Sequence, residues 1–181
     1  MIAPGEGLTQ RAQAMAEDSR ALDGWGPIES EAAFRDGVQA AIEHALAQRH
    51  RELRLCDPHF GFWPLSQEQV LSGLTAFVRL PGRKVILLAQ RYDHLRRRHP
   101  RFLRWRQDWS HAVSPLCLQE TSAQLPALLL ADRDRALYLR DPEVWAGRWV
   151  TDRVQLRGLH DQFQGWMQAA QPDLAVSVTG L

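Results

Sequence analysis

The chain has 181 residues, of which 45% are hydrophobic and 24% charged, and its formal net charge is +1 at pH 7. This length suits one domain that buries roughly 70% of its unfolded surface, and the near-neutral charge predicts no general attraction to nucleic acid or membrane. No apolar run approaches the ~18 residues of a membrane span, and the N-terminus lacks the pattern of a secretory signal. We therefore expect a cytoplasmic protein.

The first elements are predicted from glycine and proline content and from apolar periodicity. Residues 1–28 are rich in both residue types and are expected to form a flexible N-terminal tail, followed by a single domain over residues 29–181. Ser30 is a good N-cap for a helix whose apolar stripe stops near Arg49. Residues 52–56 are predicted to form a short strand that leads into the aromatic loop DPHFGFWPL.

The middle of the chain alternates between helical and strand patterns. Ser66 is predicted to cap a second helix, which Pro81 ends. The continuous apolar run KVILLA, residues 84–89, favours a strand covered on both faces. Residues 92–112 have helical spacing, but Pro100 is expected to start a fresh helix because proline suits the first helical position.

The last third is predicted to add a hairpin and a helix to the sheet. The predicted elements are strands at 116–120, 125–131 and 135–140, an irregular stretch at 141–154, and a helix at 156–170. The turn between the second and third of these strands is too short for a parallel connection, so the sheet should be mixed. The order of elements predicts an α/β domain, with a mixed β-sheet flanked by helices.

Several segments from residue 52 onward carry a family resemblance: LRLCDP, KVILLAQ, RRRHPRFLRW, LPALLLADRDRALYLRD and FQGWMQAAQPDL. They are similar to a family of uncharacterised bacterial domains related to one half of the phospholipase D-like fold. Members of this family are found alone or C-terminal to GNAT acetyltransferase domains. The resemblance implies a phospholipase D-like single half. It also implies pairing into a homodimer, and an acetyltransferase or another protein as a partner.

The catalytic motif of that fold is missing from the chain. Phospholipase D chemistry needs a histidine nucleophile, a lysine two residues later that holds the phosphate, and an aspartate five residues after the lysine. The hairpin places Asp132 at the aspartate position, but Leu125 and Ala127 stand where the histidine and lysine belong. Lys84, the only lysine, begins a different strand. The active site is therefore interpreted as degenerate, with Asp132 as a turn residue.

Polar side chains follow the first two predicted strands. Asp57 and His59 come after the first strand, and Arg91, Asp93 and His94 after the second. If the strands are parallel neighbours, the two groups converge at the carboxyl ends, where α/β proteins bind ligands. Such a group suits acid/base chemistry or a weak metal site. The alternative is that these residues are solvated and simply start turns and helices.

A second candidate surface is rich in arginine. Residues 91–106 contain seven arginines and one acid. Arg101 and Arg104 share a polar helix face that Arg97 extends, opposite an apolar stripe. Such a ridge suits the phosphates of nucleic acid or an acidic partner, although a solvated face paired with nearby acids is the simpler interpretation.

The favoured hypothesis is a non-catalytic binding or regulatory module for an anionic ligand. We expect no catalytic residues, no metal and no cofactor. Neither Cys56 nor Cys117 lies in a CxxC pair, so the sequence does not indicate a zinc site or a redox motif at the cysteines. The tentative ligand-binding residues are Asp57, His59, Arg91, His94, Arg97, Arg101 and Arg104. The alternative hypothesis is a hydrolase or transferase that uses a strand-end Asp57/His59/His94 cluster, and a third is a structural partner for an acetyltransferase.

Overall fold

The computed structural model describes residues 26–118, 125–132 and 134–173. Within these ranges the chain forms five helices and seven strands. The helices are α1 (Glu31–Ala47), α2 (Glu68–Val78), α3 (Asp93–Arg98), α4 (Pro100–Asp108) and α5 (Arg153–Ala169). The strands are β1 (Glu52–Cys56), β2 (Lys84–Ala89), β3 (Val113–Cys117), β4 (Ala127–Ala131), β5 (Arg135–Asp141), β6 (Ala146–Val150) and β7 (Gln171–Pro172).

The described strands form one sheet in the order β6-β5-β4-β1-β2-β3-β7. β1, β2 and β3 run parallel to one another, whereas β4, β5, β6 and β7 each pair antiparallel with their neighbours. Helices lie on both faces of the sheet. The predicted fold class, an α/β domain with a mixed sheet flanked by helices, is confirmed.

The two faces of the sheet bury different helices. Leu53 and Leu55 of β1 face a large core that contains the apolar sides of α1, α2, α3 and α4. Cys56 belongs to a smaller core on the other face, where Phe163 of α5 is fully buried. Successive residues of a strand point to opposite faces. β2 is therefore covered on both sides, as the continuous apolar run of residues 84–89 predicts.

The third strand is displaced from its predicted position. It covers Val113–Cys117, so it begins three residues before the predicted start at 116, and Pro115 lies inside it. Residues 119 and 120 of the predicted strand lie outside the described residues. Pro115 accepts a hydrogen bond on its carbonyl from the N–H of Asp173, so its nitrogen points to the same outer side of the strand. Proline is tolerated there because the missing N–H would not have bonded to β2.

The stretch predicted to be irregular contains strand β6, and α5 begins before its predicted start. β6 pairs with β5, and α5 begins at Arg153 because the Asp152 side chain accepts a hydrogen bond from the N–H of Gln155. Gly147 of β6 donates its N–H to the carbonyl of Ile28 over 3.0 Å. A Cβ on Gly147 would lie 2.7 Å from the Cβ of Ile28, so only glycine fits this approach.

Three further expectations concern the N-terminal tail, the second helix cap and the cysteines. Residues 1–25 of the expected tail lie outside the described residues, while Ile28 is buried at 2% exposure. α2 begins one residue later than a Ser66 cap requires, since Gln67 occupies the N-cap position. Cys56 and Cys117 lie on strands that β2 separates, and no disulfide joins them.

None of the described helices combines the length and apolarity needed to cross a bilayer.

Candidate anion-binding site

The loops after β1 and β2 lie side by side because the two strands are parallel neighbours. The N–H of Asp57 donates to the carbonyl of Leu88 over 3.1 Å, and the N–H groups of Gln90 and Arg91 donate to the carbonyl of Pro58 over 3.2 Å each. These bonds join the two loops. They bring the residues that follow β1 next to the residues that begin α3.

Asp57 holds the first of these loops in shape. Its carboxylate is fully buried and accepts hydrogen bonds from the N–H of His59 over 2.8 Å, the N–H of Phe60 over 2.6 Å and Nε1–H of Trp63 over 3.0 Å. Burial raises the pKa of Asp57, and these three donors oppose the rise. A carboxylate enclosed in this way organises the loop and has no position open to a ligand.

His59 projects from this loop beside His94 of α3. The two rings have centroids 4.7 Å apart and planes inclined by 31°. Nδ1 of His59 accepts a hydrogen bond from the N–H of Gly61 over 3.0 Å and lies 3.7 Å from Oδ1 of Asp57. Burial lowers the pKa of His59, and nearby His94, Arg91 and Arg98 lower it further, whereas Asp57 opposes them.

The tautomer of His59 follows from these contacts. Because Nδ1 accepts a backbone hydrogen bond, the neutral ring carries its proton on Nε2. The side chain is 32% exposed, so the ring is partly open to solvent. A group that presents a donor, with arginines nearby, suits an anion better than it suits proton abstraction.

Neighbouring side chains fix the loop geometry. Phe60 has a φ of 56°, in the left-handed region that non-glycine residues seldom adopt. His99 donates from Nε2 to the carbonyl of Phe60 over 3.0 Å, and Arg98 approaches the carbonyl of Gly61 at 3.4 Å. Phe60 and Trp63 are buried beneath the loop at 0% and 2% exposure. These aromatics therefore cap the core rather than line a pocket.

The arginine ridge, which we define as Arg97, Arg101 and Arg104, is exposed on α3 and α4. None of these three side chains lies within 4.0 Å of an acidic group in the described parts of the chain, whereas Arg96 pairs with Asp173 at 3.5 Å. Phe102 is buried on the opposite side of α4. The ridge is therefore a set of solvated cations without partners among the described residues.

The positions of the missing catalytic motif are closed. Leu125 and Ala127 are 1% and 3% exposed, within apolar surroundings. Asp132 has a φ of 50° in the hairpin turn. Because Ala131 pairs with Leu53 at the start of β1, this turn lies at the opposite edge of the sheet from Asp57.

Sequence reasoning missed a second cluster at that opposite edge. It joins His44 of α1, His50 of the following turn and Asp134 of the β4–β5 turn, with His44 hydrogen-bonded to Asp134. Burial opposes ionisation of Asp134, but the hydrogen bond from His44 and the charges of Arg135 and the two histidines hold its pKa below the usual range. No local spacing signals the cluster, because His44 and Asp134 are 90 residues apart.

Comparison with known proteins adds evidence on the fold alone. No known family matches the chain by sequence, and no curated protein matches it. One similar solved structure is TrmBL2, an archaeal chromatin protein with a novel mode of DNA binding (TM-score 0.58, 10% identity, 92% of this chain and 64% of that one). Another is a phosphatidylserine synthase from Haemophilus influenzae Rd KW20 (TM-score 0.53, 11% identity, 82% of this chain and 38% of that one).

This chain thus spans just under two thirds of the chromatin protein and well under half of the synthase. The synthase belongs to the phospholipase D-like superfamily. At such low identity the likeness does not extend to activity, substrate or partner. It supports one conclusion, which agrees with the mixed sheet and its flanking helices: the chain has a phospholipase D-like fold.

Proposed function

We propose that this protein is a non-catalytic phospholipase D-like module that binds an anionic ligand at the carboxyl ends of β1 and β2. The observation that carries the proposal is the fixed tautomer of His59. Its Nδ1 accepts a hydrogen bond from the N–H of Gly61, which leaves the proton of the neutral ring on Nε2, and the ring lies beside that of His94. Arg91 and Arg98 add positive charge to the same place. Donors and cations together favour a phosphate or carboxylate group.

The arginine ridge extends this site along α3 and α4. All three side chains are exposed: Arg97 lies on α3 together with His94, and Arg101 and Arg104 lie on α4, which follows directly. A ligand with several phosphates would contact the strand-end site and the ridge together, and each contact would release condensed counterions. We therefore propose a polyanion, with nucleic acid as the first candidate. The structural similarity to TrmBL2, a chromatin protein that binds DNA, is compatible with this choice.

Salt-dependent binding to a labelled 20-base-pair DNA duplex tests the proposal. Removing three phosphate contacts through the Arg97→Ala/Arg101→Ala/Arg104→Ala variant should weaken binding at least about 10-fold and lower the salt slope by about 2 to 3. The matched control replaces three exposed arginines elsewhere, Arg35, Arg140 and Arg157, and should keep most of the affinity. Salt-independent binding, or equal losses in both triple variants, would contradict the proposal.

The strand-end group has its own test. Long-range ¹⁵N–¹H spectra of the histidine side chains should show His59 as the Nε2–H tautomer, and added inorganic phosphate should shift the signals of His59 and His94. The His59→Gln/His94→Gln variant should lose part of the duplex affinity. A protonated Nδ1 on neutral His59 would remove the observation on which the proposal rests.

A hydrolase or transferase remains the second candidate, because Asp57, His59 and His94 do converge. The distances are 3.7 Å between Asp57 Oδ1 and His59 Nδ1 and 4.7 Å between the two imidazole rings. Against it, Asp57 is enclosed by three donors and His59 Nδ1 already accepts a bond. Turnover of phosphate esters, phosphodiesters or acyl esters that disappears in His59→Gln would favour this candidate over the binding module.

Pairing into a homodimer and association with an acetyltransferase are proposed only on the family resemblance. Sedimentation equilibrium decides the first, since a monomer at all concentrations would exclude it. The second requires co-purification with an acetyltransferase, and loss of that complex in the arginine-ridge variant would place the partner on the same surface.

A further inference from the structure

We propose that His44, His50 and Asp134 bind a divalent transition-metal ion such as Zn²⁺ at the amino end of β1. This site is separate from the proposed anion site, which lies at the carboxyl end of the same strand. The three residues come from the end of α1, the turn that follows it and the β4–β5 turn. Two imidazoles and one carboxylate form a donor set that suits zinc and its neighbours in the first transition row.

The distances fit a single ion. One donor atom from each of the three residues lies within 4.8 Å of the other two. Nε2 of His50 is 4.0 Å from Oδ2 of Asp134, and Nε2 of His44 is in hydrogen-bond contact with that same oxygen. Zinc bonds of about 2.0–2.2 Å allow two donor atoms to lie up to about 4 Å apart across the metal. Small side-chain rotations therefore place all three donors on one ion.

The backbone fixes the two histidines near each other. α1 ends in a Schellman motif, in which the N–H of His50 bonds to the carbonyl of Ala45 over 2.9 Å and that of Arg49 to Leu46 over 3.2 Å. Arg49 supplies the required left-handed residue, with a φ of 57°. This motif folds His50 back onto His44, with ring centroids 5.4 Å apart and planes inclined by 76°. Two histidines six positions apart in sequence thus face the same point.

The sheet brings the third donor. β4 pairs antiparallel with β1, and Ala131 lies opposite Leu53. The turn that contains Asp134 therefore lies beside the residues that precede β1. Nε of Arg135 forms an ion pair with Oδ2 of Asp134 at 3.5 Å, so a cationic side chain lies beside the carboxylate.

The cluster borders an open cavity of about 450 Å³, lined by His50, Asp132, Asp134, Thr151, Arg153 and Leu156. A zinc ion with three protein ligands keeps its fourth position for water or another ligand, and the cavity beside His50 and Asp134 would leave room for it. The side chain of His50 is 10% exposed, so most of its ring is covered by the protein. The cluster is thus shielded on the protein side and accessible on the cavity side.

The test is calorimetric titration of Zn²⁺ into the full, untagged, chelator-treated chain. We expect one saturable site, with affinity reduced at least about 100-fold in His44→Gln, His50→Gln and Asp134→Asn. Two controls should bind like the wild type: His111→Gln, which replaces an exposed histidine, and His59→Gln/His94→Gln, which removes the other histidine pair. Loss of binding in the second control, with retention in His50→Gln, would overturn the proposal.

A measurement on the wild type guards against variants that fail to fold. Zn²⁺ should shift the side-chain ¹⁵N signals of His44 and His50 in slow exchange and leave His59 and His94 unchanged. It should also raise the thermal unfolding midpoint, because an ion that binds only the folded chain stabilises it. Absence of saturable binding, or shifts confined to other histidines, would show that His44 and Asp134 form an ordinary ion pair.

Discussion

Asp57 and Asp134 each follow the carboxyl end of a strand, and because β1 and β4 are antiparallel they lie at opposite edges of the sheet. Their neighbours determine what each carboxylate does. Asp57 is enclosed, and its two oxygens accept three hydrogen bonds from one loop. Asp134 is 44% exposed and contacts histidines from two different segments. The first carboxylate therefore stabilises a loop, whereas the second has an oxygen that an ion is able to reach.

Replacement of Asp57 by asparagine tests its structural role. The amide nitrogen cannot accept a hydrogen bond, so one of the donors from the loop is left buried without a partner, at a cost of about 1–3 kcal/mol in the free energy of unfolding. Asp93→Asn, an exposed change of the same chemistry in the first turn of α3, should cost under about 0.5 kcal/mol. Urea unfolding measures both, and equal values would mean that Asp57 does not hold the loop.

At the scale of elements, β4 surrounds the position that the phospholipase D motif would assign to lysine with apolar neighbours. It lies between β1 and β5, and all five of its residues are buried. The position that the motif assigns to lysine, Ala127, belongs to the core shared with the helices. A lysine there would need a cleft, and the packing around Ala127 provides none.

The Ala127→Lys variant should therefore lose several kcal/mol of stability, because an unpaired ammonium group is buried in apolar surroundings. Ala146→Lys makes the same change at an exposed position of β6 and should be nearly neutral. Denaturant unfolding compares the two. A stable Ala127→Lys variant would reveal an opening beside β4. Such an opening would contradict the interpretation that the lysine position of the phospholipase D motif is closed.

The strands show which parts of the fold local sequence can predict. The sequence predicts β1 and β2 to the residue because their apolar runs have clear ends. The prediction for β3 is wrong because Pro115 looks like a boundary, although its nitrogen points away from β2. β6 is missed because Gly147 interrupts its pattern, and the reason for that glycine, its contact with Ile28, is visible only in three dimensions.

The same distinction holds for the two side-chain clusters. The strand-end group is predictable because the carboxyl ends of neighbouring parallel strands meet, and His59 and His94 each follow such a strand. The chemistry of this group is not predictable from sequence, because the tautomer of His59 depends on a hydrogen bond from the N–H of Gly61. The His44, His50 and Asp134 cluster depends on the pairing of β4 with β1, which no spacing in the sequence encodes.

At the scale of the whole molecule, the described sheet separates two polar clusters by the length of β1. The carboxyl edge carries histidine and arginine donors, and the amino edge carries histidines with an accessible carboxylate. Substitutions at one edge should therefore act independently of substitutions at the other, because they share no partners. This independence is what allows each cluster to serve as the control for the other.

Titration of buried histidines should make the stability of the protein fall in mild acid. Burial is the largest influence on His50, His59 and His99, and it places the pKa of each below the ordinary value of 6.5. These histidines therefore bind protons more weakly in the folded chain than in the unfolded chain. As a result, the free energy of unfolding declines as pH falls below 6.5. The decline amounts to roughly 1.4 kcal/mol for every tenfold difference in proton affinity between the folded and unfolded chains.

Asp134 affects stability in a lower pH range. Its pKa lies below the ordinary 3.8, so its contribution to the free energy of unfolding is lost only as pH falls past that value. Urea midpoints at pH 7.5, 6.0 and 5.0 lie above the pH range of Asp134 and follow the titration of the histidines. His99→Gln keeps a donor for the carbonyl of Phe60 but cannot be protonated. It should therefore be less stable than the wild type at pH 7.5 and decline less steeply toward pH 5.0. An unchanged decline would mean that His99 is not among the groups that resist protonation in the folded chain.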